Sequence, residues 1–259
     1  MEKREKVIVS LTSFPAAIKY AVEAVKSILA GSVLPDRIVL YLNMAQFGET
    51  PLPEELMKLI KENSIFEIRN YDPEIRSYIK LVPALEDFPE AVIVTIDDDI
   101  IYHKRMLERL LDYHRAYPDR VIAHRVRKIR LDEPYTKWKK YRWKNFLFKR
   151  DHAAYGNLLT GVGGVLYPPH ALKEEMMRVE LFTKIAPTAD DLWFWAAAVA
   201  NNRKIMPVPF GYNHPREIGK PSEISLMHVN YKSGEDKNKA ALDAIMTAYP
   251  EIKKKLETE

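Results

Sequence analysis

The sequence predicts an α/β protein built on one mostly parallel sheet flanked by helices. Short β-rich runs alternate with helical patterns four times between residues 7 and 117, which is typical of parallel strands joined by right-handed helical crossovers. The run Ala91–Ile96 is almost continuously apolar, as expected for a central strand covered on both faces. Ligands of such sheets bind at the carboxyl ends of the strands, so the residues that follow each strand are the candidates for a site.

Hydrophobic periodicity gives the elements of the first half. The predicted strands are short and rich in β-branched residues, and they are Val7–Phe14, Arg37–Leu42, Ile65–Arg69 and Ala91–Ile96. The predicted helices between and after them are Ala16–Ala30, Pro53–Ile60, Ser77–Leu85 and His103–Tyr117. Pro83 is expected to bend or shorten the third of these helices.

The pattern changes in the second half. Glycines at positions 161, 163 and 164 predict a tight turn into a strand at Val165–Tyr167, which the following prolines end. Asp190–Ala200 is apolar on nearly every side, so we expect a buried helix there. The tail from Asp236 to Lys255 is predicted to be helical. Residues 130–156 are predicted to be a loop or an insertion rather than a domain boundary.

Composition excludes several kinds of site. The chain has 259 residues, a formal net charge of +4 and no cysteine, which rules out disulfides, thiolate zinc sites and cysteine nucleophiles. The charged N-terminus lacks the apolar core of a signal peptide, and the longest apolar stretch, Leu192–Ala200, is too short to cross a bilayer. We therefore expect a cytoplasmic protein that is soluble or peripheral to the inner face of the membrane.

An acidic triplet, Asp97, Asp98 and Asp99, directly follows the strongest predicted strand. Three adjacent carboxylates repel one another unless a positive charge compensates them, and hard oxygen ligands suit Mg²⁺ or Mn²⁺. Alternate side chains of an extended segment share a face, so Asp97 and Asp99 could hold one ion while Asp98 points elsewhere. The alternative is a solvated acidic turn.

Six segments, in order along the chain, together resemble the GT-A glycosyltransferases, in particular family-2-like enzymes of bacterial surface-polysaccharide synthesis. They are Val9–Pro15 (VSLTSFP), Pro35–Leu40 (PDRIVL), Arg76–Leu85 (RSYIKLVPAL), Val94–Tyr102 (VTIDDDIIY), Thr160–Pro169 (TGVGGVLYPP) and Ala189–Trp193 (ADDLW). The resemblance implies a Rossmann-like GT-A fold in a single domain over residues 1–259, with a C-terminal helical tail. It also implies a nucleotide-sugar-binding half at 1–117 and an acceptor-binding half, with the tail, at 118–259.

The donor that the resemblance implies is a nucleotide sugar, most commonly a UDP-sugar, lying across the ends of the first strands. Thr12 and Ser13 would line its base or ribose pocket, and Asp97 and Asp98 would also contact it. Arg76 and Lys80 are four residues apart, on one face of the predicted helix. The resemblance implies that basic residues at this place meet the donor's phosphates. A surface pair on an amphipathic helix is the alternative.

A metal is implied as well. Asp97 and Asp99 match the D-x-D pair that bridges Mn²⁺ or Mg²⁺ and the donor diphosphate, where the ion stabilises charge on the leaving group. Some GT-A enzymes add a C-terminal histidine as a ligand, and His228 is the candidate here. A lone histidine in an apolar stretch is more often a hydrogen-bonded core residue, and that alternative stays open.

Asp190 and Asp191 begin the predicted buried helix. In inverting enzymes of this type a carboxylate at this place is the general base on the acceptor hydroxyl. We assign Asp191 to that role and Asp190 to an orienting or capping role, with the reverse assignment and a plain helix cap as alternatives. Gly163 and Gly164 would leave room for the sugar or the acceptor, unless they form a simple turn.

Residues 137–150 contain seven basic and five aromatic residues and no acid. They could contact anionic lipid peripherally, with Trp138, Trp143 and Phe146 in the interface, or stack on a glycan or glycolipid acceptor. A packed loop with solvated lysines fits the sequence equally well.

Three rival functions are compatible with parts of the sequence. A nucleotidyltransferase shares the metal and the nucleotide, but it usually has a glycine-rich, basic signature near the first strand, which residues 11–15 lack. A nucleic-acid-binding module could use the basic and aromatic segment for stacking, although the rest of the chain is nearly charge-balanced, so we expect no nucleic acid. A non-catalytic carbohydrate-binding protein is the third.

Overall fold

The computed structural model describes residues 4–141, 145, 152–209, 215–219 and 236–259. Its strands are short, and in chain order they are β1 (Val7–Thr12), β2 (Arg37–Leu42), β3 (Phe66–Asn70), β4 (Val92–Thr95), β5 (Ile100–Ile101), β6 (Val121–Ala123), β7 (Val126–Lys128), β8 (Asn157–Leu159), β9 (Val165–Tyr167), β10 (Ile205–Pro207) and β11 (Arg216–Glu217).

The α-helices lie between these strands and after them. In chain order they are α1 (Ile18–Leu29), α2 (Glu54–Glu62), α3 (Val82–Asp87), α4 (Met106–Ala116), α5 (Val179–Ile185), α6 (Asp190–Ala200), α7 (Lys237–Ala248) and α8 (Pro250–Glu257). The last two form the helical tail, and their residues Leu242, Ile245 and Ile252 belong to the same buried cluster as α6.

Seven strands form the central sheet in the order β10-β6-β9-β4-β1-β2-β3. Every neighbouring pair in this sheet is parallel except the two pairs of β9, which runs antiparallel to both β4 and β6. The prediction of a mostly parallel α/β sheet flanked by helices is therefore confirmed. Two further pairs, β5 with β11 and β7 with β8, form small antiparallel sheets.

The sheet separates two hydrophobic cores. Alternate residues of β1 face opposite sides, so Ile8 lies in one core and Val9 in the other. Helices α1, α2 and α4 cover the Val9 side. Helices α3, α5, α6, α7 and α8 cover the Ile8 side. Both faces of the sheet are buried at β1, β2 and β4, which explains why these strands are mostly apolar.

The reversed direction of β9 brings its preceding turn to the functional edge of the sheet. Thr95 at the end of β4 pairs with Val165 at the start of β9. The residues just before β9 consequently lie beside the residues just after β4. The polar residues after β1 lie at the same edge, because Ser10 pairs with Thr95 in parallel register.

The prediction of a single helix at Ser77–Leu85 is wrong. Arg76–Lys80 forms a 3₁₀ helix, and α3 begins separately at Val82. Pro83 lies in the first turn of α3, where proline is tolerated because its missing N–H has no partner there anyway. Arg76 has a left-handed φ of 54° and is exposed, whereas Lys80 is buried. The two cations therefore do not share a face.

Residues 130–156 lie between β7 and β8, where the sequence predicts a loop or an insertion. The β7–β8 hairpin flanks this segment, and Arg127 forms a β-bridge with Lys140. Trp138 is 1% exposed, and its indole N–H donates to the Glu133 carbonyl. The expectation that Trp138 enters a membrane interface or stacks on sugars is thus wrong. Trp143 and Phe146 lie outside the described residues.

Over its described length, the chain has no helix long and apolar enough to span a bilayer.

Candidate active site

Lys80 lies at the centre of a charged cluster at the carboxyl edge of the sheet. Its Nζ atom is 2.8 Å from Asp190 Oδ2, 3.0 Å from Asp97 Oδ1 and 3.9 Å from Asp191 Oδ1. The contact with Asp97 has hydrogen-bond geometry. One cation therefore joins three carboxylates from two distant parts of the chain, the end of β4 and the start of α6.

The cluster keeps its cation charged although it is buried. The side chain of Lys80 is 8% exposed, and burial lowers the pKa of an ammonium group because it disfavours the charged form. The carboxylates of Asp190, Asp97 and Asp191 oppose this effect and hold the pKa of Lys80 well above its usual value. The Lys80 ammonium is thus a permanent positive charge at neutral pH.

Asp191 combines a contact with the Gly161 amide and a raised pKa. Both of its carboxylate oxygens accept the Gly161 N–H, at 3.1 and 3.2 Å. The pKa of Asp191 is raised to about 7, because burial and, to a smaller extent, the carboxylates of Asp190 and Asp97 raise it more than the Lys80 ammonium lowers it. A third of the Asp191 side chain is still exposed, so this acid can be reached from the solvent.

The helix start leaves Asp190 and Asp191 available for these contacts. The N-cap residue of α6 is Ala189, which has no side-chain acceptor for the first amides. Both acids lie in the first turn, where the positive end of the helix dipole favours negative charge. The predicted alternative, in which one of the acids is the N-cap, is therefore not what the structure has.

Gly161 is glycine because the charged cluster lies against its backbone. A Cβ atom at this position would be 2.8 Å from both Asp97 Oδ1 and Lys80 Nζ. Gly163 and Gly164, predicted to leave room for sugar or acceptor, are both buried. Gly164 has a left-handed φ of 84°, and a Cβ there would be 3.0 Å from Met106 Sδ. Close packing of a turn thus accounts for Gly161 and Gly164.

The end of β1 meets the acidic triplet on its other side. The Ser13 hydroxyl donates to Asp98 Oδ2 at 2.5 Å, and both residues are 8% exposed. Thr12 Oγ1 donates to the Tyr41 carbonyl and so links β1 to β2. Asp98 therefore faces Ser13, while Asp97 faces Lys80.

The backbone of the triplet is held by residues that the sequence did not single out. The Asp97 N–H donates to the hydroxyl oxygen of Tyr102 at 2.9 Å, and Tyr102 is 4% exposed. The Asp99 carbonyl accepts the Ile218 N–H at 2.7 Å, next to the pairing of β11 with β5. Tyr102 stands within the VTIDDDIIY segment, but nothing in a one-dimensional pattern shows that its hydroxyl turns back to Asp97.

The structure describes two of the three predicted metal ligands, Asp97 and Asp99. No group of three His, Asp or Glu residues is arranged to hold a metal among the described residues, and His228 lies outside them. Asp97 is ion-paired with Lys80. Asp99, which is half-buried, comes two residues later. Carboxylates of this kind fit Mg²⁺ or Mn²⁺, because these ions are commonly held by one or two carboxylates together with water and substrate phosphates.

The site residues predicted from the sequence therefore fall into three places. Lys80, Asp97, Asp190 and Asp191 form one cluster, and Ser13 and Asp98 form a neighbouring pair. Arg76 is exposed at the start of the 3₁₀ helix. A signal for the burial of Lys80 was present in the sequence, because this cation stands inside the otherwise apolar run of residues 78–82, and a cation in such a run needs acidic partners.

A comparison with solved structures supports the fold. No model of a known protein family matches the chain, and no curated protein matches it. Among solved structures, residues 1–349 of TarS from S. aureus match with a TM-score of 0.56 and 15% sequence identity, over 95% of this chain and 72% of that chain. A likeness at this identity shows shared architecture and not shared chemistry. The chain has an α/β fold of the GT-A-like type.

Proposed function

We propose that the protein is a glycosyltransferase that moves a sugar from a nucleotide-sugar donor to a hydroxyl of a glycan or glycolipid acceptor, with inversion. The observation that carries the proposal is Asp191, a partly exposed acid with a pKa near 7 at the ligand edge of a GT-A-like sheet. The resemblance of six sequence segments to GT-A glycosyltransferases supports it. The proposal includes the division into a donor half at 1–117 and an acceptor half at 118–259.

Asp191 would act as the general base. A base is most effective when its pKa lies near the working pH, since it is then both ionised and basic enough to take a proton. Asp191 Oδ atoms would accept the acceptor's hydroxyl proton as that oxygen attacks the anomeric carbon. One base on the face opposite the leaving group favours inversion, through an oxocarbenium-like transition state.

The donor would lie across the carboxyl ends of β1, β2 and β4. The paired Ser13 and Asp98 offer a hydroxyl and a carboxylate to a ribose or a base, next to Thr12. Arg76 is exposed and carries the charge that a diphosphate needs. A UDP-sugar is the first donor to test.

A divalent ion, Mn²⁺ or Mg²⁺, is part of the proposal. Asp99 would hold it with Asp97 as a second ligand, and His228 is the third candidate. Such an ion supplies neutralisation of the leaving diphosphate. The ammonium of Lys80 already takes part of the charge of Asp97, so Asp99 would be the stronger of the two carboxylate ligands.

A donor screen tests the proposal. The purified protein is mixed with UDP-, GDP-, CDP- and dTDP-sugars, with Mn²⁺ or with EDTA, and release of nucleoside diphosphate is followed. We expect release from one class of donor, suppressed by EDTA and increased by a saccharide or lipid-linked acceptor. Release of pyrophosphate instead would identify a nucleotidyltransferase, and no turnover of any donor would remove the assignment. Co-sedimentation with anionic vesicles checks the predicted membrane contact of residues 137–150.

A further inference from the structure

Lys80 is placed where a ligand phosphate cannot easily reach it. Its side chain is 8% exposed, and its ammonium is already in contact with Asp97 and Asp190 at 3.0 and 2.8 Å. A diphosphate that bound this ammonium would have to approach the surrounding carboxylates, which repel it. It would also have to replace the ion pairs of Lys80 with Asp97 and Asp190. The neighbouring cation Arg76, by contrast, is exposed.

We infer that Lys80 is a positioning residue of the sugar-transfer site, which fixes the carboxylates of Asp190 and Asp191 relative to Asp97 and does not bind the donor's diphosphate. This inference rests on the proposed function for its kinetic consequences. The geometry behind it stands independently, because it concerns where one ammonium holds three acids.

The positioning works against two forces that would otherwise turn the acids away. Asp190 and Asp191 are adjacent and lie near Asp97, so all three carboxylates repel one another without a cation among them. Both also lie in the first turn of α6, whose unpaired amides attract carboxylates. The ammonium of Lys80 offers an opposite charge 2.8 Å from Asp190 and 3.9 Å from Asp191.

A second contact completes the orientation of the base. The Gly161 N–H donates to both oxygens of Asp191. Gly161 can approach this closely because it has no Cβ, which would be 2.8 Å from Lys80 Nζ. Lys80 and Gly161 therefore hold Asp191 from two directions, and the remaining exposed part of the carboxylate is left for the acceptor.

The position of Lys80 is itself fixed to the approach of α6. Two residues before it, Tyr78 stacks on Phe182 with ring centroids 4.2 Å apart. The Tyr78 hydroxyl donates to the Ala186 carbonyl at 2.6 Å, four residues before Asp190. The 3₁₀ helix that carries Lys80 and the segment that leads into α6 are thus joined by a buried contact, so the ion pairs have a rigid base.

The kinetic test separates a positioning role from a phosphate-binding role. In Lys80→Met we expect kcat to fall about 100-fold, because a small misplacement of a catalytic group costs about that much, while the donor KM and the Kd of the nucleoside diphosphate stay within about twofold. A phosphate-binding Lys80 would give the opposite result, with weaker binding of the diphosphate and unchanged binding of the nucleoside. That result would overturn the inference. Lys58→Met, on the exposed face of α2, is the matched control and should change neither constant.

A second pair of variants covers the case in which Lys80→Met does not fold. Asp190→Asn removes one of the three negative charges around Lys80. The double variant Lys80→Met/Asp190→Asn then removes the ammonium from a cluster with one carboxylate fewer, so less repulsion is left uncompensated. We expect the double variant to lose at least a further tenfold in kcat relative to Asp190→Asn, with the diphosphate Kd unchanged. Equal kcat values for the two variants would show that Lys80 positions nothing.

Crystal structures of these two variants give a readout that does not need activity. In Lys80→Met/Asp190→Asn the Asp191 carboxylate should leave the Gly161 amide, with both oxygens more than about 4 Å from that nitrogen, beyond hydrogen-bond range. An Asp191 that keeps both contacts overturns the inference even if the wild type is active. A wild type that turns over no donor overturns the proposed function instead, and the crystal structures still decide the role of Lys80.

Discussion

Two groups of adjacent acids meet at the same edge of the sheet, and they differ in how their charges are compensated. In the triplet after β4, neighbouring carboxylates take separate partners, so that Asp97 contacts Lys80 and Asp98 contacts Ser13. In the pair at the start of α6, Asp190 and Asp191 both contact the same Lys80 ammonium, which Asp97 also contacts. The pKa of Asp191 is raised to about 7, mainly because the carboxyl is buried, and the Lys80 ammonium opposes that rise.

The difference shows how one residue type can supply two kinds of chemistry. A carboxylate whose pKa is raised to about 7 can exchange a proton near neutral pH. Asp191 on α6 is therefore the carboxylate that we propose as the base, whereas we propose that the triplet holds the donor and a cation. Four predictions break or sharpen this contrast.

The largest expected effect is at Asp191. In Asp191→Asn the side chain keeps its shape and loses its basicity, so we expect kcat for sugar transfer to fall about 1,000-fold, within the range for loss of a general base. Single-turnover assays measure it, and thermal unfolding checks that the fold is intact. Near-normal transfer by a folded variant would remove Asp191 from the mechanism.

On the other side of the contrast, Asp99→Asn should weaken metal-dependent catalysis. We expect kcat/KM to fall about 100-fold at low Mn²⁺, because the leaving diphosphate loses part of its neutralisation, with partial recovery as Mn²⁺ is increased. Calorimetry of nucleoside diphosphate with Mn²⁺ and with EDTA gives the metal-linked part of binding. Asp119→Asn, an exposed acid distant in sequence from both groups, is the control. A wild type whose binding ignores EDTA would contradict the metal assignment.

Gly161 lies where the two acidic groups come closest, so a methyl group there probes how tightly they are packed. Gly161→Ala would place Cβ 2.8 Å from Asp97 Oδ1 and Lys80 Nζ, and we expect a loss of about 2 kcal/mol in the free energy of unfolding, as for overpacking elsewhere. Urea denaturation measures it. Gly156→Ala is the matched control, since its nearest neighbour would be at an ordinary 3.8 Å. Equal stabilities of the two variants would mean that Asp97 and Lys80 can shift to accommodate the methyl group at little cost in free energy.

The smallest effect is the dependence on pH. Asp191 acts as a base only when ionised, and its pKa is raised to about 7, so activity is lost as pH falls through that value and reaches a plateau above it. We expect kcat/KM at pH 6 to be about tenfold below the plateau. A profile from pH 5 to 9, with circular dichroism at each pH, checks this. A flat profile down to pH 5 would show that the base has an ordinary carboxylate pKa or is another group.

Much of the fold was predictable because local patterns dominate it. The bounds of β2 and α6 are those predicted, since each is a continuous apolar run between polar residues. The short strands β6 and β10, three residues each, were missed. Segments of that length have no readable period, and they become strands only because a sheet edge is there to pair with them.

The acids of the candidate site were predictable, whereas Lys80 was predicted as a contact of the donor's phosphates and not as the centre of the acidic cluster. Asp97, Asp98, Asp190 and Asp191 stand at element boundaries, where the order of strands and helices already indicates a ligand edge. The role of Lys80 depends on contacts with residues about 110 positions away, which no local pattern contains. Lys80 and Arg76, four residues apart, were predicted to share one face of an α-helix. They do not, because Arg76 has a left-handed φ and the segment is a 3₁₀ helix.

The direction of β9 has a consequence for how the molecule assembles. Without it the central sheet is two separate blocks, β3-β2-β1-β4 and β6-β10, since β9 supplies the pairing between them. Its contacts are distant in sequence, and such contacts form late in folding because a large loop must close first. The turn before β9 carries Gly161, so the candidate site and the joining of the blocks should form in a single cooperative event. A partly folded chain should therefore be inactive even when its first four strands have already paired.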